Sequence, residues 1–286
     1  MKRIIEVRRN VSPHWVGDGF PVRSLFSYQQ AAEFDPFLLL DYAGPHDFAP
    51  AEAPRGVGEH PHRGFETVTI VYQGELEHRD SSGSHGTIGP GDVQWMTAAS
   101  GVVHEEFHSE AFARDGGTLE MVQLWVNLPA RDKRTPPRYQ GIESQQIPMV
   151  SLPGGAGSAR VIAGELMGAK GPAQTFTPIQ LWDLRLAAGG RTTLRVAEGD
   201  TTLLVVQQGR VLLDGDEAVG SVELARFDRA GDEIQIEAQE DAMVLVMSGT
   251  PLAEPVVGQG PFVMNTREEI HQAIADYQSG KMGSLA

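Results

Sequence analysis

The stretch His60-Pro61-His62-Arg63-Gly64-Phe65-Glu66-Thr67-Val68-Thr69-Ile70-Val71-Tyr72-Gln73-Gly74 decides the fold. Thr67 to Tyr72 is β-branched and aromatic, and it stops at Gln73-Gly74, which predicts a short strand closed by a tight turn. In an extended chain, residues i and i+2 point to the same face. His60 and His62 can therefore approach one ion from one strand. The competing reading of such a pair is two unrelated surface histidines.

Working outward, the same pattern recurs. Glu120 to Val126 reads as another strand and stops at Leu128-Pro129, Thr201 to Val206 stops at Gln208-Gly209, Glu233 to Glu237 alternates with period two, and Ala242 to Met247 ends at Gly249. Short strands between regular turn signals predict a β-sandwich or barrel. Val71-Tyr72-Gln73-Gly74 matches Val206-Gln207-Gln208-Gly209, and Gly91-Asp92 matches Gly231-Asp232 in the same order. Two copies of one β unit is the economical reading. The expected division is a metal-binding barrel at 1–130, a linker at 131–178, and a second barrel with a terminal helix at 179–286. That helix is signalled by the capping box Thr266-Arg267-Glu268-Glu269, the apolar stripe Ile270, Ile274 and Tyr277, and Gly280 as a stop.

Composition narrows the function classes. The 286 residues include 33 glycines and 18 prolines, above the roughly 12% of average usage, so many turns are expected. A net charge of −15 disfavours direct binding to nucleic acid or to an anionic membrane. The absence of cysteine excludes disulfides, thiolate zinc sites, iron–sulfur clusters and cysteine nucleophiles. The charged start Met1 to Arg9 lacks a signal-peptide core, and no run reaches the ~18 apolar residues of a membrane helix, so a cytoplasmic protein is expected.

Eight of the nine histidines lie at or before His108. His104 and Glu106 repeat the i, i+2 spacing of His60 and His62. Two such pairs on neighbouring strands facing one interior give three imidazoles and one carboxylate, a set that suits Fe(II), Mn(II), Ni(II) or Cu(II). A rival motif overlaps: His104-Glu105-Glu106-Phe107-His108 fits the zinc-protease pattern, which requires a helix so that both histidines share a face. Gly101-Val102-Val103 is a poor helix start, and the protease reading gives His60 and His62 no task. His78 and His85, flanking a Ser/Gly loop, are expected to face solvent. His14 and His46 sit beside prolines in loops, and His271 is expected on the surface of the terminal helix.

These residues together resemble the pirin family, a branch of the bicupins. The resemblance runs nearly end to end. It is carried by Phe34 to Asp41, Glu59 to Thr69, Ser100 to Glu106, Gln123 to Pro129, Thr135 to Tyr139 and Glu254 to Thr266. It implies an all-β fold of two cupin barrels packed face to face, the first holding Fe(II), the second metal-free. Mn, Ni, Cu or Zn are alternatives for the ion. The implied ligands are His60, His62, His104 and Glu106. Glu66 stands where many cupins have a glutamate ligand and is expected beside the ligands, as a base. The family implies either a quercetin 2,3-dioxygenase acting on a phenolic substrate and O2, or a metal-dependent regulator that binds a transcription factor or a metabolic enzyme. Shifting the first motif by the repeat offset puts Arg195, Ala197 and Thr201 at the His60, His62 and Glu66 positions, which predicts no metal in the second barrel.

Overall fold

The computed structural model describes residues 1–285. The deciding stretch folds as two strands, Gly56–His62 and Phe65–Gln73, the second ending at Gly74 with φ 82°. Its counterpart Thr201–Gln208 ends at Gly209 with φ 81°, so the repeated glycines serve the same left-handed turn.

The unit that contains the histidines comprises Pro13–Ser144 and the residues from Leu252 on. Its larger sheet has seven strands. In spatial order they are Arg138–Ile142, Val93–Thr97, Phe65–Gln73, Gly117–Asn127, Phe37–Phe48, Phe20–Phe26 and His14–Val16. Its smaller sheet runs Gly56–His62, Val102–His108, Leu76–Asp80, His85–Ile88. Neighbouring strands are antiparallel, and His62 of one sheet meets Trp125 of the other at 5.2 Å, so the two sheets enclose one interior.

The other unit comprises Met1–Ser12 and Gln145–Pro251. It repeats the pattern. Seven strands run Ile4–Arg8, Glu223–Phe227, Thr201–Gln208, Ala242–Gly249, Ile179–Leu186, Gly157–Ala163, Met149–Leu152, and four run Arg191–Arg195, Glu233–Ala238, Arg210–Leu213, Glu217–Gly220. Its interior is filled by Trp182, Leu194, Leu204, Val206, Val211, Ile234, Ile236 and their neighbours.

The compact units depart from the expected boundaries at both termini and at the linker. Ile4–Arg8 pairs with Glu223–Phe227 and so belongs to the second unit. The expected linker is structured: Arg138–Ile142 is an edge strand of the first unit, and Gly157–Ala163 is a strand of the second. The terminal helix Arg267–Gln278, with its capping box on Thr266 and Glu269, belongs to the first unit. There Ile270 and Ala273 pack with Val103, Phe262 and Met264. Tyr277, expected on the buried stripe, is 38% exposed, and Ala273 takes that place.

Candidate metal centre

His60 stands opposite His104 in the antiparallel pair Gly56–His62 and Val102–His108. A bulge between His104 and Glu106 adds a residue to the His60 strand, so Glu106 faces Val57. The three imidazoles converge: ring centroids lie 4.9 Å apart for His60 and His62, 4.3 Å for His60 and His104, and 4.8 Å for His62 and His104. One nitrogen from each falls within 4.8 Å of the others. His104 also forms a second such cluster with His78 and Glu106.

Buried polar atoms normally have partners. Here His62 Nδ1, His104 Nε2 and Glu106 Oε1 are buried and have none. The remaining atoms of these side chains are held. His60 Nδ1 donates to the Gly58 carbonyl at 2.8 Å, which leaves its lone pair on Nε2. Glu106 Oε2 accepts from Gln123 Nε2 at 3.0 Å. Burial, and then the neighbouring imidazoles, push His62 and His104 well below the usual histidine range, so their lone pairs are available. Three imidazoles and a carboxylate, with buried unpartnered atoms on His62, His104 and Glu106, fit a divalent cation.

The cluster opens into a cavity of about 320 Å³. Phe20, Leu39, Met121 and Trp125 give it apolar walls, and Gln123 and Asp41 add polar groups. Burial raises the Asp41 carboxyl, against the lowering effect of its hydrogen bond from Ser24.

Glu66 departs from its expected place beside the ligands. The cavity-lining Trp125 and Gln123 oppose Thr67 and Thr69, so the alternation of the strand puts Glu66 on the opposite face. There it accepts from Thr97 Oγ1 at 2.7 Å, with Arg138 Nη2 at 3.9 Å. Burial pushes its carboxyl up to about 7.

The zinc-protease reading fails on local geometry. Val102–His108 is a strand, not a helix, and the helix begins only at Glu110. Its glutamate, Glu105, points outward and pairs with Arg79. His108 bonds the Gly19 carbonyl at 2.9 Å and sits among Phe20, Phe48 and Phe112, outside both clusters.

His78 is also corrected. It is buried, not solvent-facing, and stacks on Tyr139 at 5.2 Å. The missed signal was the alternation Leu76-Glu77-His78-Arg79-Asp80, which puts His78 in phase with buried Leu76. His85 and His271 are exposed as expected, while His14 and His46, expected in loops, are exposed in the strands His14–Val16 and Phe37–Phe48.

In the second unit the equivalent inward rows are Leu194 opposite Ile234 and Thr192 opposite Ile236. Arg195, reached by the repeat offset, instead lies exposed beside Glu233. The offset misjudged the face because the connection from strand to strand is longer in this copy.

The comparisons with known proteins agree with this architecture. Residues 19–126 match the pirin family model, and residues 181–283 match that of the pirin C-terminal cupin domain. A Pseudomonas aeruginosa protein named "Putative quercetin 2,3-dioxygenase" is 57% identical over 282 residues, covering 98% of each chain. Pirin of Homo sapiens is 36% identical over 272 residues, covering 93% of this chain and 89% of its own. A solved quercetin 2,3-dioxygenase from Acinetobacter baumannii is 53% identical, with a TM-score of 0.97 and full coverage of both chains. Two cupin domains in tandem, ending in a short helix, and sequence likeness along the whole chain lead to one conclusion: the chain belongs to the pirin family.

Proposed function

We propose that this chain is an Fe(II)-dependent dioxygenase that opens the ring of a flavonol such as quercetin with O2. The observation that carries the reading is the group His60, His62 and His104, which shares His104 with a second group that holds Glu106, together with the buried unpartnered atoms of His62, His104 and Glu106 beside a largely apolar cavity. Relatives named as quercetin 2,3-dioxygenases support the same reaction class. His60, His62, His104 and Glu106 would hold the ion. A ferrous ion held by these residues would supply Lewis acidity, lowering the pKa of a flavonol hydroxyl.

The chain's own residues do the rest. Leu39, Met121 and Trp125 cover flat aromatic rings and exclude water. Gln123 donates to Glu106 Oε2 and so orients the carboxylate with Oε1 left for the ion. Asp41 and Ser24 form a polar patch in the wall that suits hydroxyl groups of the substrate. Three neutral imidazoles and one carboxylate leave a divalent ion with a formal charge of about +1, which favours an anionic phenolate even on an acidic protein. Glu66, on the far face of its strand, takes no part.

The test is O2 uptake with quercetin. Fe(II)-loaded protein should consume O2, and apo protein and His104→Ala should not. Uptake no greater than that of free iron at the same concentration refutes the reading.

A further inference from the structure

The hydrogen bonds behind His104 form an ordered chain. Leu76–Asp80 runs antiparallel to Val102–His108, with His78 opposite Glu106 and Asp80 opposite His104. His78 Nδ1 lies 3.3 Å from His104 Nδ1, and His78 Nε2 lies 3.2 Å from Asp80 Oδ2. All three side chains are buried. The far oxygen, Asp80 Oδ1, accepts from the Ser82 amide at 2.8 Å, the Ser82 hydroxyl at 2.6 Å and the Ser84 amide at 3.1 Å. The turn after the strand therefore anchors the chain at one end.

Donor and acceptor roles follow from chemistry. A carboxylate only accepts, so His78 Nε2 carries a proton. His104 Nε2 is the nitrogen left without a partner, so a metal-bound His104 keeps its proton on Nδ1 and donates it to His78 Nδ1. Both nitrogens of His78 are engaged within the protein, so its place in a ligand-like cluster with His104 and Glu106 reflects this contact.

We propose that Asp80 and His78 are positioning residues for His104. They hold the tautomer that turns its Nε2 lone pair toward the ion, and they strengthen that nitrogen as a donor through the hydrogen bond at Nδ1. A stronger donor favours the more highly charged ion, so the pair also lowers the Fe(III)/Fe(II) potential. Partners behind a metal-bound histidine typically contribute 10–100-fold to affinity. The inference rests on reading His60, His62, His104 and Glu106 as metal ligands.

The experiment compares wild type, His78→Phe, Asp80→Asn, His78→Gln and His62→Ala. Fe(II) and Ni(II) affinities are measured by chelator competition, the iron midpoint potential by spectroelectrochemistry, and folding by apo-protein melting. His78→Phe should lose about 10–100-fold in affinity and shift the potential upward. Asp80→Asn, which keeps an acceptor for the Ser82–Ser84 turn, should shift both in the same direction by less. His78→Gln offers an acceptor and a donor in one amide and should recover most of both. Unchanged affinity and potential in a folded His78→Phe overturn the proposal; if that variant does not fold, the same result in Asp80→Asn does. X-ray absorption showing His78 bound to the ion also overturns it. Metal bound by His62→Ala as tightly as by wild type would instead refute the underlying metal centre.

Discussion

Arg63, the residue after His62, donates from Nη1 to Asp276 Oδ2 at 2.9 Å, and from Nε to the Ser100 carbonyl at 2.7 Å. One guanidinium thus ties the first histidine motif to the second and to the terminal helix. Both members of the ion pair are largely buried, with side chains 13% exposed. Hydrogen bonds from Lys281, Arg63 and Gln272 hold the Asp276 carboxyl far below its usual range. A carboxyl depressed in the folded state stabilises above its unfolded pKa, and that contribution fades as pH falls through the acidic range. Asp276→Asn should cost about 1–3 kcal/mol at neutral pH and less below pH 4. Urea melts at the two pH values check this, and hydrogen exchange should show faster opening of 267–278.

Lys133 is buried, and its Nζ donates to Asn127 Oδ1 at 2.6 Å, Gly64 O at 2.7 Å and Val263 O at 3.1 Å. Lys133→Ala should destabilise by about 2–4 kcal/mol, because three acceptors lose their donor and a cavity opens. Burial lowers its pKa from 10.5 to about 7. Between those values the unfolded chain binds more protons than the folded one, so stability rises with pH across this window. Lys133→Met should remove that slope in melts between pH 7 and 10.

Glu66 gives the opposite slope. Burial raises its pKa from 4.5 to about 7, so the folded chain binds the extra proton and stability falls as pH rises between those values. Glu66→Gln keeps an acceptor for Thr97 and should stabilise the protein at pH 8 by roughly 1–3 kcal/mol. Metal content and O2 uptake should not change. A large fall in turnover at full metal loading would show Glu66 acting as a base.

His62→Ala should sharply weaken metal binding, and His108→Ala should largely spare it, because His108 is bonded to Gly19 and packed among phenylalanine rings. Wild type should hold close to one ion per chain, since the second unit presents Leu194, Ile234 and Ile236 at the equivalent rows. Metal analysis after washing with chelator reads both outcomes.

Trp125 stacks on Phe65 at 4.2 Å and forms part of the cavity wall. Under the proposed reaction, Trp125→Ala should raise KM for flavonol about tenfold or more while Fe(II) affinity stays within about threefold, since the ring covers substrate but does not ligate.

What the sequence determined by itself was everything that depends on local periodicity. The i, i+2 spacing put His60 with His62, and His104 with Glu106, because side chains alternate along a strand whatever it pairs with. The turn glycines Gly74 and Gly209 marked the repeat, and Thr266 with Glu269 marked the helix start, because turns and caps are made by neighbouring residues. Which side of a strand faces the histidine cluster depends on pairing between distant segments. By position Glu66 is expected beside the ligands, yet register against Thr97 and Val126 turns it away. His78, flanking a loop, is expected to face solvent, yet pairing with Glu106 brings it behind His104. The exchange of termini was equally hidden: Ile4 meets Phe227, and Arg63 meets Asp276. These partners lie far apart in the chain, and periodicity within one segment carries no information about which distant segment covers it.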